Sequence, residues 1–355
     1  MQPQLPAQPR LADGLELVAG AGELLQLRGC TPPLRLTGRM PQLLLPLLDG
    51  NHTLEAITGA LTDWRPQEVL GAIRALAERG LLAEAGPART RPPRPPDAPG
   101  QAAFYWAAGS GPADRGERAR QALHDARLHL FGWGGLLAEL LTALRQCGAD
   151  GLTAEAWLPP SAVVAAPVAA QAAVPFPTGD QLKQRMPARS DLIVVALPRP
   201  APALLAAVNL ACLEQAVPFL PVVISGHEAV IGPTVLPGRS ACYDCFKQRL
   251  KTNAAFPDDE AAYEAHLDRG TGGVTLPEWP PFTTAVAAFA AMEAIRFITR
   301  FTPPITAGQV LFIDALTGSQ RVSRVWKLPR CPACRGTRRA ERGGGPDEQR
   351  GAAQP

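Results

Sequence analysis

The sequence predicts an α/β protein of two domains: a small α+β domain at the N-terminus and a larger domain with a doubly wound, mostly parallel sheet. Three observations support this prediction. The chain has 355 residues, enough for about two domains of ~150 residues each. Residues 86–100 (GPARTRPPRPPDAPG) hold six prolines and no large hydrophobic side chain, as in a stiff linker. Short alternating strands precede this linker, whereas apolar strands and helices alternate after it.

Composition and charge narrow the functional class. Hydrophobic residues make up 46% and charged residues 19%, which excludes a mainly disordered chain. The formal net charge of +3 gives no general attraction to nucleic acid or to an anionic membrane. Residues 1–10 lack the apolar core of a signal peptide, and the most apolar runs, 162–176 and 285–298, contain proline or polar residues. We therefore expect a cytoplasmic protein with reduced cysteines and no membrane partner.

The first domain, residues 11–85, is predicted to be a winged-helix-like α+β unit. Alternating leucines predict three short strands, which lie around residues 15–17, 25–27 and 34–36. Three helices are expected at Met40–Leu48, from the Thr53 cap to Leu61, and at Pro66–Arg79. Val69, Ile73 and Leu76 share one face of the third helix and are predicted to be buried. Leu81-Leu82 adds a last strand, and residues 1–10 are expected to be disordered.

The second domain, residues 101–334, is predicted to contain the parallel sheet. Its predicted strands are Leu128–Phe131, Leu152–Trp157, Asp191–Leu197 and Phe219–Ile224. A helix is expected at Ala203–Gln215, a long one at Thr284–Arg300, and an antiparallel hairpin from Gln309–Asp314 and Arg321–Lys327. The tail, 335–355, is rich in Arg, Gly, Glu and Pro and is predicted to be disordered.

The strongest chemical signal is a pair of C-x-x-C motifs, Cys242/Cys245 and Cys331/Cys334. Each motif lets one turn present two thiolates to an ion, and two such turns complete the tetrahedral sulfur shell of zinc. Four thiolates leave no open position, so this zinc site would be structural. Unrelated reduced cysteine pairs and redox chemistry are the alternatives. Redox chemistry is disfavoured because neither motif is expected to open a helix after a thioredoxin-like strand.

A glycine-rich turn, Gly132-Trp133-Gly134-Gly135, lies between a predicted strand and a predicted helix. This context is typical of a nucleotide-binding loop, in which backbone N–H groups at a helix N-terminus hold phosphate. However, Leu137 stands at the third glycine position, and Glu155 is the one acidic residue of the next strand. A purely structural strand-to-helix turn explains the pattern equally well.

No catalytic residues are predicted. The five histidines, His52, His124, His129, His227 and His266, are scattered, and none lies beside a plausible nucleophile. The chain has no G-x-S-x-G, P-loop or H-E-x-x-H motif.

Two groups of motifs resemble known families. Gly232-Pro233, Pro237-Gly238 and the first cysteine pair, followed by a long helix, a hairpin and the second pair, resemble the ThiF/MoeB superfamily of adenylating proteins. Within it, the sequence is most similar to the leader-peptide-binding partners of YcaO cyclodehydratases, which help to make azoline-containing ribosomal peptides. Leu48–Glu55 before a helix and Leu81-Leu82 at its end resemble the PqqD-like precursor-recognition element. Related folds are commonly dimeric, so the resemblance also implies a homodimer as one arrangement.

The sequence departs from the active members of this superfamily. Those members carry an Asp near the end of the strand predicted at Asp191–Leu197, and it helps to hold Mg²⁺ on ATP. This chain has Ala196-Leu197-Pro198-Arg199 there, with no carboxylate to bind the metal. Together with Leu137, this change leads us to expect that the chain does not use ATP.

The PqqD-like resemblance implies a peptide-binding edge. A leader peptide would add a strand beside Leu34–Thr37 and lie against the third helix, with backbone hydrogen bonds supplying affinity. The candidate contacts are Leu34, Arg35, Leu36, Thr37, Leu70, Arg74 and Ala77. Arg35 and Arg74 would meet acidic side chains of the leader, unless they are simply solvated.

Three functions follow from these patterns. The first is a non-catalytic scaffold that binds a precursor leader and presents it to a separate YcaO cyclodehydratase. The second is an ATP-dependent adenylyltransferase that activates the C-terminus of a carrier protein. The third, DNA binding, is disfavoured because the helix at Pro66–Arg79 has as many glutamates, Glu68 and Glu78, as arginines, Arg74 and Arg79. The helix therefore lacks a basic face.

Overall fold

The computed structural model describes most of the chain. The described residues are 5–12, 15–19, 24–28, 34–84, 115–158, 174–177, 179–187, 189–269 and 278–335. The predicted linker at 86–100 and all but the first residue of the predicted tail lie outside this set. The chain divides into two compact units, one with residues 1–130, 134–154 and 278–305, and one with residues 131–133, 155–277 and 306–355.

Within the described residues up to 84, which we call the N-terminal domain, the chain forms two small sheets and three helices. Its strands are β1 (Pro9–Leu11), β2 (Glu16–Ala19), β3 (Leu24–Arg28), β4 (Leu34–Thr37) and β5 (Leu82–Glu84). Its helices are α1 (Arg39–Leu44), α2 (Leu54–Ala60) and α3 (Pro66–Glu78), with a 3₁₀ turn at Leu45–Leu47. Strands β2, β3 and β4 form an antiparallel sheet in that order, and β1 pairs with β5. The three predicted strands and the α+β character are confirmed.

Capping residues fix the helix starts in this domain. The Thr53 hydroxyl accepts a hydrogen bond from the Ala56 N–H, as predicted for the cap of α2. The Glu68 carboxylate accepts the Arg65 N–H at 2.8 Å, and Pro66 occupies the first turn of α3. Val69 and Ile73 on α3 are fully buried, which confirms the predicted core face.

Two predictions for this domain need correction. The helix expected at Met40–Leu48 ends as an α-helix at Leu44 and continues as a 3₁₀ turn. Pro46 accounts for this change, because it lacks the N–H that would continue the α-helical ladder. The disordered start expected over residues 1–10 does not extend to Pro9, which begins β1 and pairs with Glu84. The Glu84 carboxylate also accepts hydrogen bonds from the backbone N–H groups of Ala7 and Gln8, which precede β1.

The described residues from 115 to 335 form an eight-stranded sheet and its helices. The strands are β6 (Leu128–Gly132), β7 (Leu152–Leu158), β8 (Val174–Pro175), β9 (Leu192–Leu197), β10 (Phe219–Ser225), β11 (Glu228–Ile231), β12 (Gln309–Asp314) and β13 (Gln320–Arg324). The helices are α4 (Arg115–Asp125), α5 (Gly134–Gln146), α6 (Gly179–Arg185), α7 (Pro202–Glu214), α8 (Tyr243–Asn253), α9 (Pro257–Arg269) and α10 (Pro280–Thr299). The strand order is β13-β12-β11-β10-β9-β6-β7-β8.

The sheet is parallel where the strands are most apolar. Every residue of β9 is buried, and β9 pairs in parallel with β10. Strands β10, β11, β12 and β13 then pair antiparallel in succession, so that β13 lies at one edge. The fold class, a mixed α/β protein with a parallel-rich sheet, is confirmed, and β13 ends at Arg324 rather than at the expected Lys327.

Helix α10 is long and apolar enough to cross a membrane by length and composition, and half of it is buried in the fold. It packs against α5 and α4. The side chain of Glu293 is almost fully buried on this helix and accepts a hydrogen bond from Arg296 at 2.7 Å. This burial and this internal ion pair are typical of a core helix.

Candidate metal centre and glycine loop

The first cysteine pair lies at the start of α8. Cys242 is the cap residue before this helix, and Cys245 lies in its first turn, so both sulfur atoms project from the same end. The Tyr243 N–H donates a hydrogen bond to the Asn209 side chain of α7 at 3.0 Å, which fixes this turn against a neighbouring helix. The pair therefore does open a helix, contrary to the expectation from the sequence. No strand leads directly into it, since β11 ends at Ile231.

The second cysteine pair closes on the first. The Sγ of Cys242 lies 3.7 Å from that of Cys331, and the Sγ of Cys245 lies 3.7 Å from that of Cys334. The Sγ atoms of Cys242 and Cys245 are 3.8 Å apart, and all four sulfurs lie within 4.8 Å of one another. All four side chains are buried. The predicted meeting of the two motifs is confirmed, and the cluster could hold a metal ion.

The spacing of these sulfurs fits a tetrahedral metal site. A Zn–S bond of about 2.3 Å places the sulfurs of a regular tetrahedron ~3.8 Å apart. The three distances of 3.7 and 3.8 Å match that edge. No other group of three or more His, Cys, Asp or Glu side chains within the described ranges comes together in this way.

The cluster's electrostatics favour a bound cation. Burial, above all, raises the pKa of Cys331 to about 12, and its thiol donates a hydrogen bond to the Asp244 carboxylate at 3.2 Å. The hydrogen bond from the Cys242 thiol lowers the pKa of Cys245 to about 4, and the Leu328 N–H donates to the same sulfur. These contacts favour the thiolate form of Cys245, whereas burial disfavours the thiolate form of Cys331. A divalent cation would supply positive charge that stabilises buried thiolates.

The glycine loop begins with a close approach of two strands. Gly132, the last residue of β6, has a φ of 146°. A Cβ atom at this position would lie 1.9 Å from the backbone oxygen of Ala196 in β9. The backbone N–H of Trp133 donates a hydrogen bond to the same oxygen at 3.4 Å. The Trp133 ring lies 5.2 Å from the ring of Phe176. The first glycine of the loop is therefore required by strand packing.

The second half of the loop already holds an anionic group. The Gly135 N–H, at the start of α5, donates to both carboxylate oxygens of Glu278, at 3.0 and 3.3 Å. Burial raises the pKa of Glu278, and this hydrogen bond opposes the rise. Glu278 was not predicted from the sequence, because a contact between residues 143 positions apart leaves no spacing signal.

Three other positions that would contribute to a nucleotide site do not contribute to one here. Leu137, at the third glycine position, is buried on α5. Glu155 on β7 forms an ion pair with Arg185 of α6. After β9 the chain continues as Pro198-Arg199, and no carboxylate stands at that strand end.

The predicted peptide-binding residues lie on two elements of the N-terminal domain. Arg35 and Thr37 are exposed on β4, whereas Leu34 and Leu36 are half-buried and pack against the domain core. On α3, Arg74 is exposed and Leu70 and Ala77 are half-buried. Strand β4 lies at the edge of its sheet.

This architecture defines a class of α/β proteins in which a glycine loop follows a sheet strand and a cysteine cluster fixes a turn near the C-terminus. Residues 166–335 match the model of the ThiF family, so the chain carries a ThiF family domain. The resemblance found in the cysteine motifs is confirmed. No curated protein matches the chain in sequence.

Solved structures share this fold. The heterocyclase TruD is 19% identical with a TM-score of 0.64, over 93% of this chain and 43% of that chain. A heterocyclase in complex with substrate and cofactor is 22% identical with a TM-score of 0.62, over 92% of this chain and 39% of that one. E. coli MccB is 15% identical with a TM-score of 0.67, over 98% and 99% of the two chains. This chain therefore spans less than half of either heterocyclase.

Replacing Gly132 with alanine tests the packing role of the loop. We expect Gly132→Ala to destabilise the protein by about 4 kcal/mol or to abolish soluble expression, because the new Cβ meets the Ala196 oxygen. The control is Gly148→Ala, which also has a positive φ of 83° but open space around its Cβ, and it should cost only about 1 kcal/mol. Thermal unfolding followed by circular dichroism measures both. Equal losses would contradict the steric explanation.

Proposed function

We propose that this chain binds the leader peptide of a ribosomally made precursor and presents it to a separate YcaO cyclodehydratase, which forms azoline rings. The observation that carries this proposal is the combination of a small domain with an open strand edge and a ThiF family domain whose glycine loop holds the chain's own carboxylate. The fold shared with two heterocyclases, one of them solved with its substrate, supports it. The proposed setting is the cytoplasm.

Leader binding would use the free edge of β4. Its backbone groups on the side away from β3 can pair with an extended peptide, which supplies affinity independently of sequence. Arg35 and Arg74 are exposed, and neither forms an ion pair with another residue in the described part of the chain. They are therefore available to acidic side chains of a leader, and Leu34 and Leu36 anchor the strand to the domain core.

The ThiF family domain would serve as a docking platform for the YcaO partner rather than as a catalyst. A nucleotide-activating site needs phosphate contacts and a carboxylate for Mg²⁺. Here the Glu278 carboxylate already accepts the hydrogen bond from the Gly135 N–H, and the residues directly after β9 include no carboxylate. We place the ATP-dependent step on the YcaO partner.

We assign zinc to the four cysteines, in a structural role. Buried thiolates in a tetrahedral set favour zinc over the harder cations, and four protein ligands exclude a substrate from the ion. The ion would fix the turn of Cys331 and Cys334 to the start of α8.

A second candidate function, carrier-protein adenylation, is favoured by one observation. E. coli MccB matches this fold along nearly its whole length and has been solved with ATP. ATP–pyrophosphate exchange separates the two candidates. The proposed scaffold catalyses no exchange above background with any peptide, whereas an adenylyltransferase exchanges label in the presence of its acceptor.

Leader binding is tested by titrating the protein into the fluorescein-labelled leader of a candidate precursor, taken as a short Cys/Ser/Thr-rich peptide encoded by a neighbouring gene where the genome holds one. Saturable binding at micromolar or tighter Kd is expected. Arg35→Glu and Arg74→Glu should each weaken binding about tenfold, since each loses one charge-assisted contact of about 1.4 kcal/mol. Arg145→Glu, an exposed arginine on α5, makes the same charge change and should leave the Kd within twofold. A flat titration with the unaltered protein would refute the proposed function.

Metal content is tested by elemental analysis of the purified chain. We expect one zinc ion per chain, lost when Cys242→Ser or Cys334→Ser removes a ligand, with a lower melting temperature. Cys147→Ser, which changes a half-buried thiol outside the cluster, should keep the ion. A metal-free protein with unchanged stability in the presence of a chelator would contradict the assignment.

A further inference from the structure

We propose that the Glu278 carboxylate is an internal ligand of the glycine loop, which takes the place of a phosphate group at the start of α5. The loop then retains an anion-binding position that is filled by the protein itself. This inference deepens the proposed function, since it gives a physical reason why the chain would not bind nucleotide. The ligand class that would replace the carboxylate is a phosphate, free or on a nucleotide.

The hydrogen bonding at the start of α5 supports this inference. The helix spans 13 residues, and its first N–H groups carry the positive end of the helix dipole. One of them, from Gly135, points at both oxygens of a carboxylate. A phosphate offers the same features to such a helix start: negative charge and several acceptor oxygens.

The absence of a side chain at Gly135 leaves room for the carboxylate. A Cβ atom at Gly135 would lie 2.5 Å from Oε2 of Glu278, so the carboxylate would have to shift to accommodate it. Close approach of an anion to a glycine backbone is the feature that phosphate-binding loops exploit. The Thr283 methyl group, 3.6 Å from that Cβ position, forms the apolar side of this space.

Glu278 is held beside the loop by the chain that follows it. It lies two residues before α10, and the first turn of α10 is closed by hydrogen bonds from Phe282 and Thr283 to the Trp279 oxygen. Helix α10 itself packs against α5. The carboxylate therefore precedes a helix whose packing against α5 holds it beside the loop. Burial raises the pKa of Glu278, and the hydrogen bond from the Gly135 N–H lowers it.

The test removes the carboxylate and measures phosphate binding. Isothermal titration with inorganic phosphate, and separately with ATP and Mg²⁺, is performed on the full chain and on Glu278→Ala. We expect Glu278→Ala to bind phosphate at least tenfold more tightly than the unaltered protein. Glu139→Ala removes an exposed carboxylate from the same helix and controls for the change in net charge. Equal phosphate affinity in Glu278→Ala and Glu139→Ala overturns the proposal.

Two further variants guard against a misfolded result. Glu278→Gln keeps the size of the side chain and should give an affinity between those of the unaltered protein and Glu278→Ala. Gly135→Ala added to Glu278→Ala fills the space with a methyl group and should abolish the gained binding; retained binding would place the anion elsewhere and overturn the proposal. Leader affinity, measured on the same samples, should not change with phosphate. A protein that gains phosphate binding but binds no leader would keep this inference and refute the proposed function.

Discussion

The position of the C-terminal turn depends on four sulfur atoms that lie within 4.8 Å of one another. Two come from the first turn of α8 and two from a turn 89 residues farther along the chain. Closing a loop of that length costs conformational entropy, so the contact needs a strong local interaction to hold it. Supporting hydrogen bonds surround it: Arg249 of α8 donates to the Trp326 oxygen, and the Leu328 N–H donates to Cys245. The chain after β13 is thereby fixed to α8 by several independent contacts.

The glycine loop shows how one motif can serve two physical requirements. Gly132 lacks a side chain because the backbone of β9 lies against it, which is a packing requirement independent of any ligand. At Gly135 the missing side chain lets a carboxylate accept a hydrogen bond from the backbone N–H. A nucleotide loop and a structural turn are therefore not exclusive descriptions of the same residues. The loop has the backbone geometry of an anion-binding turn, and the anionic group beside it is the Glu278 carboxylate of the same chain.

Much of this fold could be predicted from local sequence. Strand β9 is recognisable because all its side chains are apolar, and α2 because Thr53 caps it. The polar helices α8 and α9 were not predicted, since few of their side chains are buried and their apolar periodicity is weak. The cysteine cluster was predictable because motif spacing encodes it. The Glu278 contact was not, because it depends on where α10 packs, which no local pattern records.

The pairing of β1 with β5 has a consequence for how the small domain can be used. Pro9 lies opposite Glu84, so the polypeptide enters and leaves this domain at neighbouring points. A module with adjacent ends can be joined to unlike hosts, or removed from them, without stretching its own core. Because its two ends are adjacent, the segment 5–84 could be inserted into another protein scaffold as one unit.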